Sequence, residues 1–368
     1  MASFRQRGKK WEYRISYYKN GKREPISKGG FNTKAEARAA ANKVEHQLNM
    51  GVDVKKGDQL FIDYYKNWIK TYKLGAFSHE TDKTYNHAMK LVEKYFPKLK
   101  LKEITRDRYQ QFLNEYSEGR SRETVRKAHT KVGACLRDAF NTGDIPNNPA
   151  YKPTFRGVDG VKESTKYLHA EEAKDVMQEL LRDLKTSYTS RYMLLLQFAT
   201  GMRISEVMAI QFEDLNFLNN TVHINKSWDY KFDLDFKPTK NREERKITVD
   251  SDTMKYMKQL YDYQLSKKII DGKRRLFAVN GKIPSTNAIN KTLKRACIRA
   301  NVEVVTSHAL RHTHASLLLL NDVSVAYISK RLGHRNISIT TDVYSHVLDE
   351  LEIRSEQISA DIVNQFYN

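Results

Sequence analysis

A break in the hydrophobic pattern divides this chain of 368 residues into two unequal parts. Glycine, proline and asparagine crowd together over residues 143–149, and a polar stretch follows. Such residues end helices and strands, so we interpret residues 151–166 as an interdomain linker. The length also exceeds that of an ordinary single domain. The sequence therefore predicts a multidomain protein in which residues 167–368 form a separate body after the linker.

Residues 1–57 predict a small sheet backed by one helix. Apolar and polar side chains alternate in the first strands, as is typical of half-buried strands. The strands are predicted over Ala2–Arg7, Lys10–Tyr18 and Lys22–Lys28. Asn20-Gly21 favours a tight hairpin turn between the last two of them. Thr33, with Glu36 three residues later, predicts a capped helix over Lys34–Asn49.

The rest of the chain is predicted to be mainly helical. Residues 58–150 carry apolar side chains at helical spacing in four segments, which predicts a compact bundle. The four predicted helices are Leu60–Tyr72, Glu80–Tyr95, Arg106–Tyr116 and Arg122–Asn141. Residues 167–368 mix helices with a small sheet, whose strands are predicted over Thr221–Asn225, Lys231–Phe236 and Arg245–Val249. The predicted class is a multidomain, mainly α protein with small β-sheets.

The charge points to a polyanionic partner. The chain carries 64 Lys and Arg against 44 Asp and Glu, a net charge of +20. Residues 1–57 alone hold +9 of it. Nucleic acid is the favoured partner, with an anionic membrane surface second. A basic sheet can enter a DNA major groove, although an inert solubilising face is the alternative. The candidate DNA-binding residues are Arg5, Arg7, Arg14, Lys19, Lys22 and Arg23.

Several other protein classes are disfavoured. No apolar run approaches the roughly 20 residues that span a bilayer. The N-terminus shows no signal peptide. Cys135 and Cys297 stand far apart, so neither a disulfide framework nor a zinc ribbon is indicated. We therefore expect a cytoplasmic protein without a membrane partner.

Two stretches of the last two hundred residues hold unusual cations. Arg203 follows an apolar helix and a glycine, so it can present its guanidinium to a phosphate beside free backbone N–H groups. The alternative is a surface arginine paired with Glu206 or Glu213. Residues 237–245 predict a basic hairpin tip between two strands, and such tips reach toward ligands. Simple solvation explains a charged tip equally well.

A third stretch combines histidine and arginine at a helix start. His308 and Arg311 are three residues apart in the predicted first turn, an arrangement suited to a phosphate. The rival is a metal site, because His308 and His312 lie one turn apart. A metalloprotease helix would need a glutamate where Ala309 stands. No cluster of carboxylates surrounds this stretch, so a metal site is disfavoured.

The fourth stretch supplies Leu332-Gly333-His334 and, ten residues later, Tyr344. Either alone would indicate only packing. All four stretches, taken in order, resemble the tyrosine recombinase (phage integrase) family. The matching motifs are Thr-Gly-Met-Arg-Ile-Ser-Glu-Val, the Thr-Lys segment, His-Ala-Leu-Arg-His-Thr-His-Ala, Leu-Gly-His and Tyr-Ser-His-Val. The corresponding catalytic set is Arg203, Glu206, Lys240, His308, Arg311, His334 and Tyr344.

The resemblance also extends to the domains. It is strong over residues 167–368, which it identifies as the catalytic domain. Residues 58–150 resemble the family's core-binding domain more loosely. Residues 1–57 resemble the arm-type DNA-binding domain of integrases from temperate phages and integrative conjugative elements.

The resemblance implies a reaction at a DNA phosphodiester. Tyr344 would attack the phosphorus, form a 3′-phosphotyrosyl link and release a 5′-hydroxyl. Arg203 and Arg311 would bind the non-bridging oxygens, where charge builds in the transition state. Lys240 would protonate the leaving oxygen, and we prefer it to Lys237 because it follows a threonine and immediately precedes the turn residues.

Three further roles follow from the same resemblance. His308 would accept the tyrosine proton, and His334 would donate a hydrogen bond to the phosphate. Glu206 would orient Arg203 or His308. Arginines would carry the charge compensation, so neither a metal ion nor a cofactor is expected.

The implied partners are double-stranded DNA, at core-type and arm-type attachment sites, and further protein subunits. The amphipathic segment Leu348–Phe366 either packs on its own domain or docks on a neighbouring subunit, and the family favours exchange within a homotetramer. An excisionase and a DNA-bending host protein are plausible. Integration and excision of a mobile element is the favoured function. The alternatives are a Xer-type resolvase of chromosome dimers, a non-catalytic DNA-binding protein and a metal-dependent nuclease.

Overall fold

The computed structural model describes residues 2–19, 22–76, 79–159, 167–232, 234–268 and 272–344. The chain divides into two compact units, with the boundary between Gly160 and Val161. Two predictions, the Asn20-Gly21 turn and the packing of the amphipathic segment Leu348–Phe366, lie outside the described residues. In the part that the structure describes, no helix is long and apolar enough to cross a membrane.

The first unit begins with an antiparallel sheet of three strands in sequence order. Its strands are β1 (Ser3–Arg7), β2 (Lys10–Lys19) and β3 (Lys22–Phe31), and helix α1 (Lys34–Asn49) follows. Tyr13 and Ile15 are buried, together with Ala37 and Ala41 of α1. Helix α1 begins where predicted, because the Thr33 hydroxyl accepts a hydrogen bond from the N–H of Glu36 at 3.1 Å. The predicted three-stranded sheet with one helix is confirmed.

A helical bundle completes the first unit. Its helices are α2 (Val54–Gly57), α3 (Phe61–Tyr72), α4 (His79–Tyr95), α5 (Arg106–Tyr116) and α6 (Arg122–Asn141). Aromatic rings form much of its core. Phe96 lies 5.4 Å from Phe61 and 5.3 Å from Phe112, measured between ring centroids. The four predicted helices are present because their apolar faces meet in this core.

The helical body continues past the predicted boundary at residue 150. The Gln110 side chain accepts from the N–H of Thr154 at 3.0 Å and donates to its carbonyl at 2.9 Å. Val158 forms an isolated parallel bridge with Ser121. Residues 154–159, which lie within the predicted linker, are therefore bound to the bundle.

The second unit combines eight helices with two small sheets among its described residues. The helices are α7 (Ala170–Leu181), α8 (Thr189–Thr200), α9 (Ile204–Met208), α10 (Ser251–Ser266), α11 (Thr286–Arg299), α12 (Ser307–Leu320), α13 (Val325–Leu332) and α14 (Ile337–Val343). The strands are β4 (Leu215–Asn216), β5 (Thr221–Ile224), β6 (Lys226–Trp228), β7 (Phe236–Pro238) and β8 (Arg245–Thr248). Strands β4, β5 and β8 form one sheet, and β6 pairs with β7. Helices α8 and α12 pack against each other and bring the polar motifs together.

The predicted strand over Lys231–Phe236 is wrong. The Asp229 carboxylate accepts from the N–H groups of Lys231 and Phe232, both at 3.1 Å, and so turns the chain between β6 and β7. The basic hairpin tip predicted at residues 237–245 is therefore wrong, because the β6–β7 hairpin turns before these residues. Residues 239–244 instead connect strands of two different sheets.

Candidate active site

Arg203 stands where helix α8 ends and helix α9 begins. Gly201 ends α8 in the left-handed conformation, with φ of +67°. A Cβ at Gly201 would lie 2.7 Å from Cδ2 of His314 and 2.6 Å from Cδ2 of Leu332. Only glycine fits this turn, and the turn delivers Arg203 to the N-cap of α9.

The Glu206 carboxylate binds two arginines. Its Oε1 lies 3.0 Å from Nη1 of Arg203, and its Oε2 lies 2.7 Å from Nη2 of Arg245. Burial opposes ionisation of Glu206, which is 1% exposed, but the two guanidinium groups outweigh burial and lower its pKa. Glu213, the other partner considered from the sequence, pairs with Arg274 instead.

Sequence reasoning missed Arg245. It begins strand β8 in a run of charged residues, and nothing in its spacing distinguishes it from its neighbours. Its side chain is only 8% exposed. Its Nε donates to the carbonyl of Arg331 at 2.8 Å. The strand therefore ties Glu206 to the end of helix α13.

Arg311 connects the two glycine turns of the site. It lies in α12, is 3% exposed, and donates from Nη1 to the Gly201 carbonyl at 2.7 Å and from Nη2 to the Leu332 carbonyl at 2.8 Å. Burial and the nearby Arg203 cation lower the pKa of Arg311 to about 9, so it remains charged at neutral pH.

The turn after α13 is surrounded by hydrogen-bond donors. The Gly333 carbonyl accepts from the Asn241 side chain at 2.9 Å and from Nη2 of Arg203 at 3.4 Å. Gly333 has φ of +68°, and a Cβ there would lie 2.9 Å from Nη1 of Arg245. Carbonyls 331, 332 and 333 thus each accept from a different arginine, which complements the negative end of the helix.

His334 follows this turn. Its Nδ1 lies 2.8 Å from the Thr340 hydroxyl, which fixes the ring. Burial, followed by the charges of Arg311 and Arg203, lowers the pKa of His334 to about 4. The ring is therefore neutral at pH 7.

Tyr344 ends helix α14 and is 1% exposed. Its hydroxyl lies 3.1 Å from Nδ1 of His312. Burial raises the pKa of Tyr344 to about 12, and the Arg311 charge opposes the rise. His308, the proton acceptor expected from the resemblance, lies one helical turn before His312, and their ring centroids are 4.8 Å apart. The structure thus places His312, rather than His308, beside the tyrosine hydroxyl.

The two candidate lysines differ in their surroundings. Lys237 forms an ion pair with Asp229 at 3.2 Å, next to the hairpin turn. Lys240 is exposed, and its charge helps to lower the pKa of His308, after desolvation and the charges of Arg311 and Arg203. These contacts favour Lys240 as the lysine near the site.

The candidate DNA-binding cations of the N-terminal sheet are not equivalent. Arg5 and Arg7 both pair with Glu12 of the neighbouring strand at 3.1 Å. Arg14 and Arg23 are exposed on the strands. Lys19 and Lys22 face each other in register at the end of the hairpin, but their side chains lie outside the described residues.

Comparison with known proteins places this site in a family. Three family models match: an Arm DNA-binding domain over residues 3–48, a phage integrase SAM-like domain over 60–154, and the phage integrase family over 166–350. The last of these spans half of the chain. The chain belongs to the phage integrase family. It is a site-specific tyrosine recombinase of the integrase type, an enzyme that cleaves and rejoins DNA strands.

Two relatives match nearly the whole chain. The integrase of Staphylococcus phage L54a is 27% identical over 343 residues, which cover 86% of this chain and 96% of the phage protein. A XerC-like tyrosine recombinase from Caldanaerobacter subterraneus is 23% identical over 90% of both chains.

Solved structures of two other integrases share the fold. The Tn1549 transposon integrase in complex with transposon right end DNA superposes with a TM-score of 0.70 at 18% identity, over 82% of this chain and 100% of that one. A lambda integrase dimer bound to a core site gives a TM-score of 0.60 at 17% identity, over 92% of this chain and 93% of that one. The multidomain fold expected from the sequence is confirmed.

Proposed function

We propose that this integrase cleaves DNA through a 3′-phosphotyrosyl intermediate on Tyr344, in order to integrate and excise a mobile element in the cytoplasm. The contact that carries this proposal is the 3.1 Å distance between the Tyr344 hydroxyl and Nδ1 of His312. It joins a buried nucleophile to a base on the same helix that supplies Arg311. This pairing of nucleophile and base is the arrangement that covalent catalysis requires.

Charge compensation is assigned to Arg203 and Arg311. Both donate to carbonyls of the Leu332-Gly333 turn, so they converge on one small region. Fixed cations next to a phosphate stabilise the charge that grows on its non-bridging oxygens. Arg203 keeps 22% of its side chain exposed and is the more accessible of the two.

Proton transfer is assigned to two groups, and a third donates a hydrogen bond. His312 receives the proton of Tyr344, because a hydroxyl whose pKa is raised to about 12 is hardly ionised at neutral pH. Lys240 protonates the leaving 5′ oxygen. Neutral His334 donates a hydrogen bond to the scissile phosphate from the nitrogen that does not face Thr340. The phosphotyrosyl link conserves the bond energy, so rejoining needs no nucleotide.

The finer partners belong to the same proposal. The N-terminal sheet binds arm-type sites and the helical bundle binds core-type sites, supported by the family models over those segments. We propose that the active assembly is a homotetramer on DNA, coupled through residues 348–366. An excisionase and a DNA-bending host protein would set the direction of recombination.

The decisive experiment traps the covalent adduct. The wild-type protein, mixed with DNA of its element, should form a protein–DNA adduct that survives denaturation and that also forms in EDTA. Sequencing the attached DNA ends would map the cleavage site. Tyr344→Phe should abolish the adduct while leaving DNA binding intact, because it removes only the nucleophilic oxygen. An adduct that persists in this variant would exclude Tyr344, and cleavage that requires a divalent metal would favour the nuclease alternative.

The Xer-type resolvase remains the second candidate. A XerD tyrosine recombinase of Staphylococcus saprophyticus is 34% identical over 44% of this chain. The Arm DNA-binding model over residues 3–48 favours the integrase, because the resolvases usually lack such a module. Mapped sites at a mobile-element junction support the integrase, whereas sites at the chromosome terminus support the resolvase.

A further inference from the structure

Arg245 is a buried cation to which the proposed mechanism gives no role. Its guanidinium meets the Glu206 carboxylate at two points, with Nη2 at 2.7 Å from Oε2 and Nη1 at 3.4 Å from Oε1. Its third nitrogen, Nε, donates to the Arg331 carbonyl. The planar guanidinium is thus fixed at all three nitrogens, which a lysine could not reproduce.

The electrostatic consequence concerns Arg203. With Arg203 as its only cation, the buried Glu206 carboxylate would neutralise that arginine, and an incoming phosphate would have to compete for it. Two guanidinium groups around one carboxylate leave one net positive charge. Because Arg245 is 8% exposed and Arg203 is 22% exposed, the charge that faces outward is that of Arg203.

We propose that Arg245 is a positioning residue for recombination, which shares the Glu206 carboxylate so that Arg203 stays available to the scissile phosphate. Through its bond to Arg331 it also holds the Leu332-Gly333-His334 turn in register with that pair. The proposal rests on the proposed function, since it assumes that Arg203 binds the phosphate.

Other charged groups face Glu206 or its arginines. Any test must distinguish their titration from that of Glu206. Arg203 faces the carboxylate from its own turn, Arg245 from β8, and Arg311 from α12. His334 and His308 lie against the same arginines and also titrate below neutral pH. A recovery of the rate at acidic pH therefore has to be assigned to Glu206 by removing the Glu206 charge itself.

The test compares Arg245→Met and Arg245→Lys with the wild-type protein. Single-turnover formation of the Tyr344 adduct would be measured on a half-site duplex carrying the mapped cleavage site, from mildly acidic to mildly alkaline pH. We expect R245M to bind this duplex normally but to form the adduct at least about tenfold more slowly, because Arg203 is drawn onto Glu206. Its deficit relative to the wild-type protein should shrink as the pH falls, because protonation of Glu206, whose pKa rises when it loses a cation, releases Arg203. R245K should lie between the two.

A matched control removes another buried cation of the second unit. Lys226 is 17% exposed and pairs with Asp214 at 2.7 Å. Lys226→Met should therefore disturb folding to a similar degree, and any deficit that it causes should not shrink at acidic pH. If R245M lowers the adduct yield by one factor at every pH, as a merely structural loss would, the proposal is overturned.

The double variant Arg245→Met with Glu206→Gln tests whether R245M acts through the charge of Glu206. It removes both members of the Glu206–Arg245 ion pair, so neither is left buried without the other. We expect it to recover part of the rate at neutral pH and to lose the pH dependence of the deficit, whereas a pH dependence owing to His334 or His308 would remain. A double variant as slow as the product of the single effects would contradict the proposal. A wild-type protein that forms no adduct would refute the proposed function itself, independently of Arg245.

Discussion

At the scale of single residues, α12 carries two histidines that compete for one role. The resemblance assigns the tyrosine proton to His308, whereas the structure sets His312 at hydrogen-bond distance from Tyr344. One helical turn separates them. Sequence spacing shows that both lie on one face of the helix but does not show which of them the distant Tyr344 approaches.

The pH dependence of adduct formation distinguishes these histidines. Because burial raises the pKa of Tyr344 to about 12, a variant without the acceptor depends on spontaneous ionisation of the hydroxyl. Its rate should then rise about tenfold for each pH unit across the neutral range. We expect this slope for His312→Gln and a flatter profile for His308→Gln, measured by single-turnover adduct formation. The reverse result would return the role to His308.

Short sequence motifs identify some residues of the site and miss others. Arg203, Arg311, His334 and Tyr344 were identified because each stands in a recognisable short context. Arg245 was not, since its importance lies in contacts with Glu206 and Arg331, which are far from it in the chain. A side chain that acts through tertiary contacts leaves no local signal in one sequence.

At the scale of elements, helices were predicted more accurately than strands. Helix α1 has the predicted bounds, because a side-chain cap and a helical period agree. The predicted strand over Lys231–Phe236 failed, because the Asp229 side chain turns the backbone there. In a stretch of charged and aromatic residues, alternation alone does not distinguish a short strand from a turn.

The segment between the sheet and the bundle predicts the outcome of truncation. Lys56 of α2 pairs with Asp144 at 3.0 Å, and this carboxylate is 3% exposed. Deleting residues 1–57 should destabilise the bundle by about 1–3 kcal/mol relative to deleting residues 1–50, because Asp144 loses its cation. Urea unfolding of both truncated proteins measures the difference. Equal midpoints and slopes would show that α2 contributes nothing to the bundle.

At the scale of the whole molecule, the positive charge is concentrated in a segment that contributes no residue to the proposed reaction. Residues 1–57 hold +9 of the net +20, whereas the proposed reaction uses a few cations of the second unit. The N-terminal sheet is thus suited to non-specific electrostatic binding of the phosphate backbone. This kind of binding depends on the release of counterions.

Salt titration of DNA binding tests whether the N-terminal sheet binds the phosphate backbone. Arg14→Gln should reduce the slope of log affinity against log salt by about one unit on random-sequence duplex, if Arg14 contacts a phosphate. Glu12→Gln is the matched variant, because it frees Arg5 and Arg7 from their shared acid and should steepen the slope. Identical slopes for wild type and both variants would favour the solubilising face instead.

The ring of arginines around the last carbonyls of α13 has a consequence for reversibility. A recombinase must bind the phosphate equally well in two states, in which the phosphorus is bonded either to the enzyme or to the next sugar. These two states differ little in energy. The cations here are held by peptide oxygens of the chain rather than by the substrate. Their positions therefore do not depend on which bond exists. The same arrangement of arginines serves both the cleavage and the rejoining of the DNA strand.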